Sequence, residues 1–215
     1  MVQRKEFDNP KQAEYLPGSQ NEWADMESRK KAEASDWRLD PVIFQQLQQV
    51  RGPLEIDLFA ARHNTQLENY FSWQLDPDAQ GTDAFRHSWT TLKGYAFPPF
   101  CMVGRCLRKV IADKVMRLVI VAPVWPHQVW YPLLLDLLVE PPVMLTQSAT
   151  LLQDPKGNPH PLLQAGNLHL ASWTVSHNSS MRREFQMTLQ SSSKPHGGEE
   201  LKIICSSMGK MVWLV

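Results

Sequence analysis

The run Tyr95-Ala96-Phe97-Pro98-Pro99-Phe100, read with Leu118-Val119-Ile120-Val121-Ala122-Pro123 downstream, decides the fold. Each run is apolar, of strand length and marked by proline at its end. Between them Met102, Val103, Cys106, Leu107, Val110 and Ile111 recur at helical spacing, with Arg105, Arg108, Lys109 and Lys114 mainly on the opposite face. That pattern predicts a helix from about Cys101 to Lys114. A strand, a helix and a second strand in this order form a β-α-β unit with parallel strands. The Pro-Pro-aromatic turn then falls at the carboxyl end of the first strand, the edge at which open α/β sheets bind ligands.

Upstream, Asp40-Pro41 supplies an N-cap and a proline at the first helical position. Ile43, Phe44, Leu47 and Val50 follow at helical spacing, and Gly52-Pro53 stops the run. Leu54 to Ala60 reads as a buried strand interrupted only by Glu55 and Asp57. Residues 61–93 read as loop, with Asn64, Asp76-Pro77 and Gly81 as turn signals. Downstream, a helix extends to Leu138, its regular part delayed by Pro132, and Val143-Met144-Leu145 reads as a further strand. The alternation predicts a small, mostly parallel sheet with flanking helices over residues 37–150. Residues 1–36 are polar and charged, with a short helix expected from about Asn21 to Ala34. Residues 151–215 read as a loop-rich, largely disordered tail, rich in Ser, Gly and polar residues over 176–200.

Composition narrows the function classes. With 43% apolar residues and eight Trp, the 215-residue chain can bury a real core, and its length suits one domain plus extensions. Its 22 Lys and Arg balance 22 Asp and Glu, so no global field draws it to nucleic acid or a membrane surface. Cys101, Cys106 and Cys205 make no disulfide framework and suit a reducing interior. There is no secretory apolar core at the N-terminus and no run near the roughly 18 residues of a membrane span. The expectation is an intracellular chain, in nucleus or cytoplasm, with no membrane partner.

Two stretches carry a resemblance to known families. Tyr15-Leu16-Pro17-Gly18-Ser19-Gln20-Asn21-Glu22-Trp23-Ala24-Asp25-Met26-Glu27-Ser28-Arg29 resembles the last segment of the ribonuclease H domain in gypsy-like and DIRS-type retroelement polyproteins. There a His-Ile/Leu-Pro-Gly turn precedes Asn, Ala-Asp and Ser-Arg; here Tyr15 stands at the histidine. The resemblance implies that Asp25 matches an acidic magnesium ligand, whose companions would lie upstream of Met1. Asp36-Trp37-Arg38-Leu39-Asp40-Pro41, Ile56-Asp57-Leu58-Phe59-Ala60, Tyr70-Phe71-Ser72-Trp73, Asp76-Pro77, Thr82-Asp83-Ala84-Phe85 and Tyr95 to Phe100 resemble the next portion of DIRS-type polyproteins. The likeness covers roughly residues 13–190. Over about 37–140 it is also similar to phage-type DNA adenine methyltransferases. That similarity implies a Rossmann-like methyltransferase-type fold and S-adenosylmethionine as cofactor. It also implies cofactor contacts at Asp40 and Asp57, and an adenine-site turn at Pro98, Pro99 and Phe100.

The implied chemistry has one gap. An adenine amine is a poor nucleophile because its lone pair is delocalised into the ring, and an Asn or Asp ahead of the two prolines accepts its hydrogens. Here that position is Phe97, whose side chain accepts no hydrogen bond. The expectation is therefore a retroelement-derived fragment that uses no cofactor and has a structural or nucleic-acid-associated role. Its partners would be DNA, an RNA–DNA hybrid or the parent polyprotein. An active adenine methyltransferase with an unusual motif, and residual ribonuclease H activity, stay open as alternatives. So do plainer readings: a rigid turn with a packed ring at 98–100, a capping role for Asp57, and a solvated face for the helix cations. Cys101 and Cys106 sit about 140° apart around one helix and do not jointly grip zinc. His87 and His127, near the implied pocket edge, read as capping or surface residues.

Overall fold

The computed structural model describes residues 37–192 and 212–213. Asp25, the ribonuclease H-like segment and the helix expected at 21–34 lie outside the described residues.

A short strand β1 (Arg38–Leu39) leads into helix α1 (Pro41–Arg51). Asp40 caps α1 by accepting from the N–H groups of Val42 and Ile43 at 2.8 and 3.4 Å, and Pro41 occupies a position whose missing N–H costs nothing. Strands β2 (Ile56–Ala60), β3 (Asn69–Ser72), β4 (Gly81–Thr82) and β5 (Gly94–Ala96) follow. Helix α2 (Val103–Ala112) and strand β6 (Leu118–Pro123) complete the β-α-β unit read from the sequence. Next come α3 (Tyr131–Asp136), β7 (Val143–Met144), β8 (Leu152–Gln153), α4 (Pro161–Gln164), β9 (Leu170–Val175) and α5 (Ser179–Ser192).

Seven strands drawn from residues 56–175, with β10 (Val212–Trp213) added beside β7, form one mixed sheet in the order β10-β7-β9-β6-β5-β2-β3-β4. Strand β9 runs antiparallel to both neighbours, from Leu118 opposite Val175 to Pro123 opposite Leu170 on one side, and against β7 on the other. The pairs β2–β3, β2–β5, β3–β4, β5–β6 and β7–β10 are parallel. A separate two-stranded ribbon joins β1 to β8.

The sheet carries a packed layer on each face. On one, Val103, Cys106, Leu107 and Val110 of α2, Leu134 of α3 and Phe185 of α5 meet Ile56, Leu58, Ala96, Leu118 and Ile120. On the other, Phe44 and Leu47 of α1, Leu39 and Leu152 of the ribbon, and Leu168 meet Tyr95, Val119, Val121 and Val143. Period-2 alternation assigns the strand residues to their layers: Leu118 and Ile120 face α2, while Val119 and Val121 face α1.

Two expectations are corrected. The loop read at 61–93 contains β3 and β4, too short to show a period of their own. The tail read from 151 contains β9, which is buried along its whole length, and α5. Ser172 and Thr174 are fully buried along with their apolar neighbours, because β9 lies inside the sheet with layers on both sides. Among the described residues no helix is long and apolar enough to cross a membrane.

Candidate functional site

Chain order reverses between β2 and β5: the chain runs outward through β3 and β4, then returns to the other side of β2. In open α/β sheets the crevice beyond the carboxyl ends of two such strands is where ligands bind. Asp57 and Tyr95 are register partners across this point, so their side chains share a sheet face. Phe97, two residues beyond Tyr95, follows on that face. Together with Trp37, Leu39, Phe59, Asn64 and Gln66 they line a cavity of about 10 Å³. Small-molecule sites run to about 300–1,000 Å³, so this one is closed to a nucleoside-sized cofactor as it stands.

The cavity floor is polar and buried. Asp57 is 2% exposed, and its carboxylate accepts from the N–H groups of Phe59 at 3.2 Å and Gln66 at 3.3 Å. Burial pushes its pKa up to about 7, against the opposing pull of those two bonds. Tyr95 is 1% exposed, and its hydroxyl has no hydrogen-bond partner among the described residues. Burial, and secondarily the charge of Asp57, raise the Tyr95 pKa well above its ordinary value.

The roof is the stretch before α1. The Gln66 side-chain N–H group donates to the Leu39 carbonyl at 2.5 Å, and the Asp40 N–H donates to the Leu151 carbonyl at 2.9 Å. The Trp37 ring lies 4.5 Å from the His160 ring. A larger open groove of about 530 Å³ runs along α1, but its Gln48 and Gln66 amides are already used to hold Leu54 and Leu39.

Of the residues given a chemical role from the sequence, Asp57 and Phe97 line the cavity. Asp40, expected as a cofactor contact, does not line it; its carboxylate is used in capping α1. Pro98 is buried, and Pro99 starts the turn by accepting from the Met102 N–H at 2.8 Å. The Phe100 ring packs edge-on against Trp125 at 5.3 Å. His87 stacks on Phe71 at 4.4 Å, and His127 is exposed. Two cations of the α2 face turn onto aromatic rings, Arg105 over Phe85 at 3.8 Å and Lys109 over Trp89 at 5.3 Å, and Lys109 pairs with Asp113 at 2.8 Å. Arg108 remains exposed. Burial pushes the Cys106 thiol up, the opposite of nucleophile activation. Among the described residues no group of three His, Cys, Asp or Glu could hold a metal ion.

Sequence reasoning missed Trp37, Tyr95 and Gln66 as cavity residues. Tyr95 carried a usable signal, since it sits two residues before Phe97 on the same face; Trp37 and Gln66 are brought in by tertiary packing alone. No protein-family model matches the chain, and no curated protein matches it.

Proposed function

We propose that the chain is a segment of a retroelement polyprotein. In this reading it folds as a degenerate Rossmann-like methyltransferase-type domain that has lost methyl transfer and has a structural or nucleic-acid-associated role. The fold part is supported by strand order. Counted along the chain, β4-β3-β2-β5-β6 reads 3-2-1-4-5, the order of doubly wound nucleotide-binding sheets. The polyprotein part is supported by the succession of short motifs from Tyr15 to Phe100.

The observation that carries the loss of activity is Phe97 in the lining of the cavity that also holds Asp57. A target amine there would meet a ring in place of an acceptor, and losing one such polar contact costs about 10²–10³ in rate. The connections β2–β3 (61–68) and β3–β4 (73–80) also hold no helix, so no helix N-terminus is presented to an anionic cofactor group at either.

The test is transfer of labelled methyl from S-adenosylmethionine to DNA, run beside calorimetric titration of the cofactor. No transfer is expected. Micromolar binding together with transfer that disappears in Phe100→Ala would establish the active adenine methyltransferase instead. The genomic flanks test the ancestry: an upstream reverse transcriptase frame in many copies is expected.

A further inference from the structure

We propose that a single buried water sits between the Asp57 carboxylate and the Tyr95 hydroxyl and bridges them, sealing the crevice at which sheets of this kind take ligands. This holds whether or not the domain descends from a methyltransferase.

Two buried polar groups share this space without bonding to each other. Tyr95 is 1% exposed, and its hydroxyl finds no hydrogen-bond partner among the described residues. An unpaired buried hydroxyl carries its full desolvation penalty, so in native proteins such groups are nearly always paired with protein or with ordered water. Asp57 is its register partner on the neighbouring strand, and the Asp57 charge acts on the Tyr95 hydroxyl. The carboxylate has capacity to spare. One oxygen accepts from the Phe59 N–H at 3.2 Å and the other from the Gln66 N–H at 3.3 Å, and each can take a further donor. A polar pair held apart within one cavity is the arrangement that a water bridges.

The space matches one water in size and in chemistry. Its volume of about 10 Å³ is at the threshold for a single molecule, and a buried water needs roughly two to four polar partners. Asp57 and Tyr95 supply two. Gln66 also lines the space, and with its amide nitrogen spent on the Leu39 carbonyl its oxygen is left to accept. With Asp57 ionised, the Tyr95 hydroxyl donates to the water, and the water donates one hydrogen to the carboxylate and one to a second acceptor. With Asp57 protonated, the chain reverses: the carboxyl O–H donates to the water, and the water donates to the Tyr95 oxygen. A hydroxyl serves in either role, so the water is held in both states.

Position gives the water its consequence. It joins β2 through Asp57 to β5 through Tyr95, on the two sides of the point where chain order reverses. Through Gln66 the same cluster reaches Leu39 of β1, which covers the cavity. The ligand position is thus filled by a molecule that ties floor to roof.

The experiment is a crystal structure of the full chain at a resolution that orders waters, beside oxygen-17 relaxation dispersion of the wild type and of Tyr95→Phe. Density for one water within hydrogen-bond distance of both the Asp57 carboxylate and Tyr95 Oη is expected. Tyr95→Phe removes one partner and keeps the ring, so dispersion should count one long-lived water fewer than in the wild type. A Tyr95 hydroxyl bonded directly to Asp57 or to another protein group, or an occupant other than water, would overturn the assignment. An unchanged count of long-lived waters in a folded Tyr95→Phe would do the same. If that variant does not fold, the wild-type density decides alone, and neither measurement depends on whether methyl transfer occurs.

Discussion

Asp57 binds a proton more tightly in the folded protein than in the unfolded chain, and that difference has a measurable consequence. Its pKa rises from an ordinary carboxylate value to about 7 because burial disfavours the charge. Between about pH 4 and pH 7 the unfolded chain releases this proton while the native state keeps it, so stability falls as pH rises through that window. A shift of about three units corresponds to roughly 4 kcal/mol lost by pH 8. Asp57→Asn should remove this slope and be the more stable protein at pH 8, checked by urea unfolding at pH 5 and pH 8. Glu140 works in the opposite sense. Burial raises its pKa, but Arg117 and Arg51 outweigh burial and hold it below the usual carboxylate range. It bonds Arg51, reaches the Arg117 Nε at 3.2 Å and accepts from Thr174 at 3.0 Å. Its contribution is present above the ordinary glutamate pKa and is lost as pH falls through the lowered one. Glu140→Gln leaves the buried Arg51 guanidinium without its counter-charge and should cost about 3 kcal/mol, at the low end for a buried pair because Glu140 is a third exposed. Asp57 was legible in the sequence as a polar break in an apolar run. Glu140 was not, since its partner Arg51 lies 89 positions away.

At the scale of elements, α2 was readable because its two faces separate by chemistry. Cys106, Leu107 and Val110 are fully buried against the sheet, while Arg105 and Arg108 stay exposed. Leu107→Ala should therefore cost about 2–5 kcal/mol, and Arg108→Ala should stay within about 0.5 kcal/mol, measured as shifts in the urea midpoint. Strand β9 shows the opposite case: Ser172 and Thr174 alternate with Ala171, Trp173 and Val175, yet both are fully buried, because a strand inside the sheet is covered on both faces and its polar positions do not mark solvent. Trp173 fixes the strand: it is fully buried, and its indole N–H donates to the Ala122 carbonyl at 3.1 Å. Strands β3 and β4 escaped for a different reason. They are four and two residues long, and their place in the sheet is set by pairing with β2 rather than by their own pattern.

For the whole molecule, strand order decides where the fold ends. Local pattern placed the carboxyl edge of β5 and the helix after it, but it could not reveal that a later strand returns, antiparallel, between β6 and β7. That return makes residues beyond 150 part of the core. Strand β9 pairs along all of β6 and with both residues of β7, so without it β7 keeps no partner among residues 37–192. Leu170, Ala171, Trp173 and Val175, all fully buried, leave with it and expose the sheet on both faces. Burial of single large apolar side chains is worth about 1.5–3 kcal/mol each, against a total domain stability of about 5–15 kcal/mol. A chain truncated after residue 150 should therefore lose cooperative unfolding and amide dispersion, whereas one truncated after residue 192 should keep both. Circular dichroism melts and amide NMR spectra of the two would decide. A cooperative transition in the shorter chain would mean that β5, β6 and α2 hold the carboxyl edge together unaided, and that β9 stabilises a sheet it does not define.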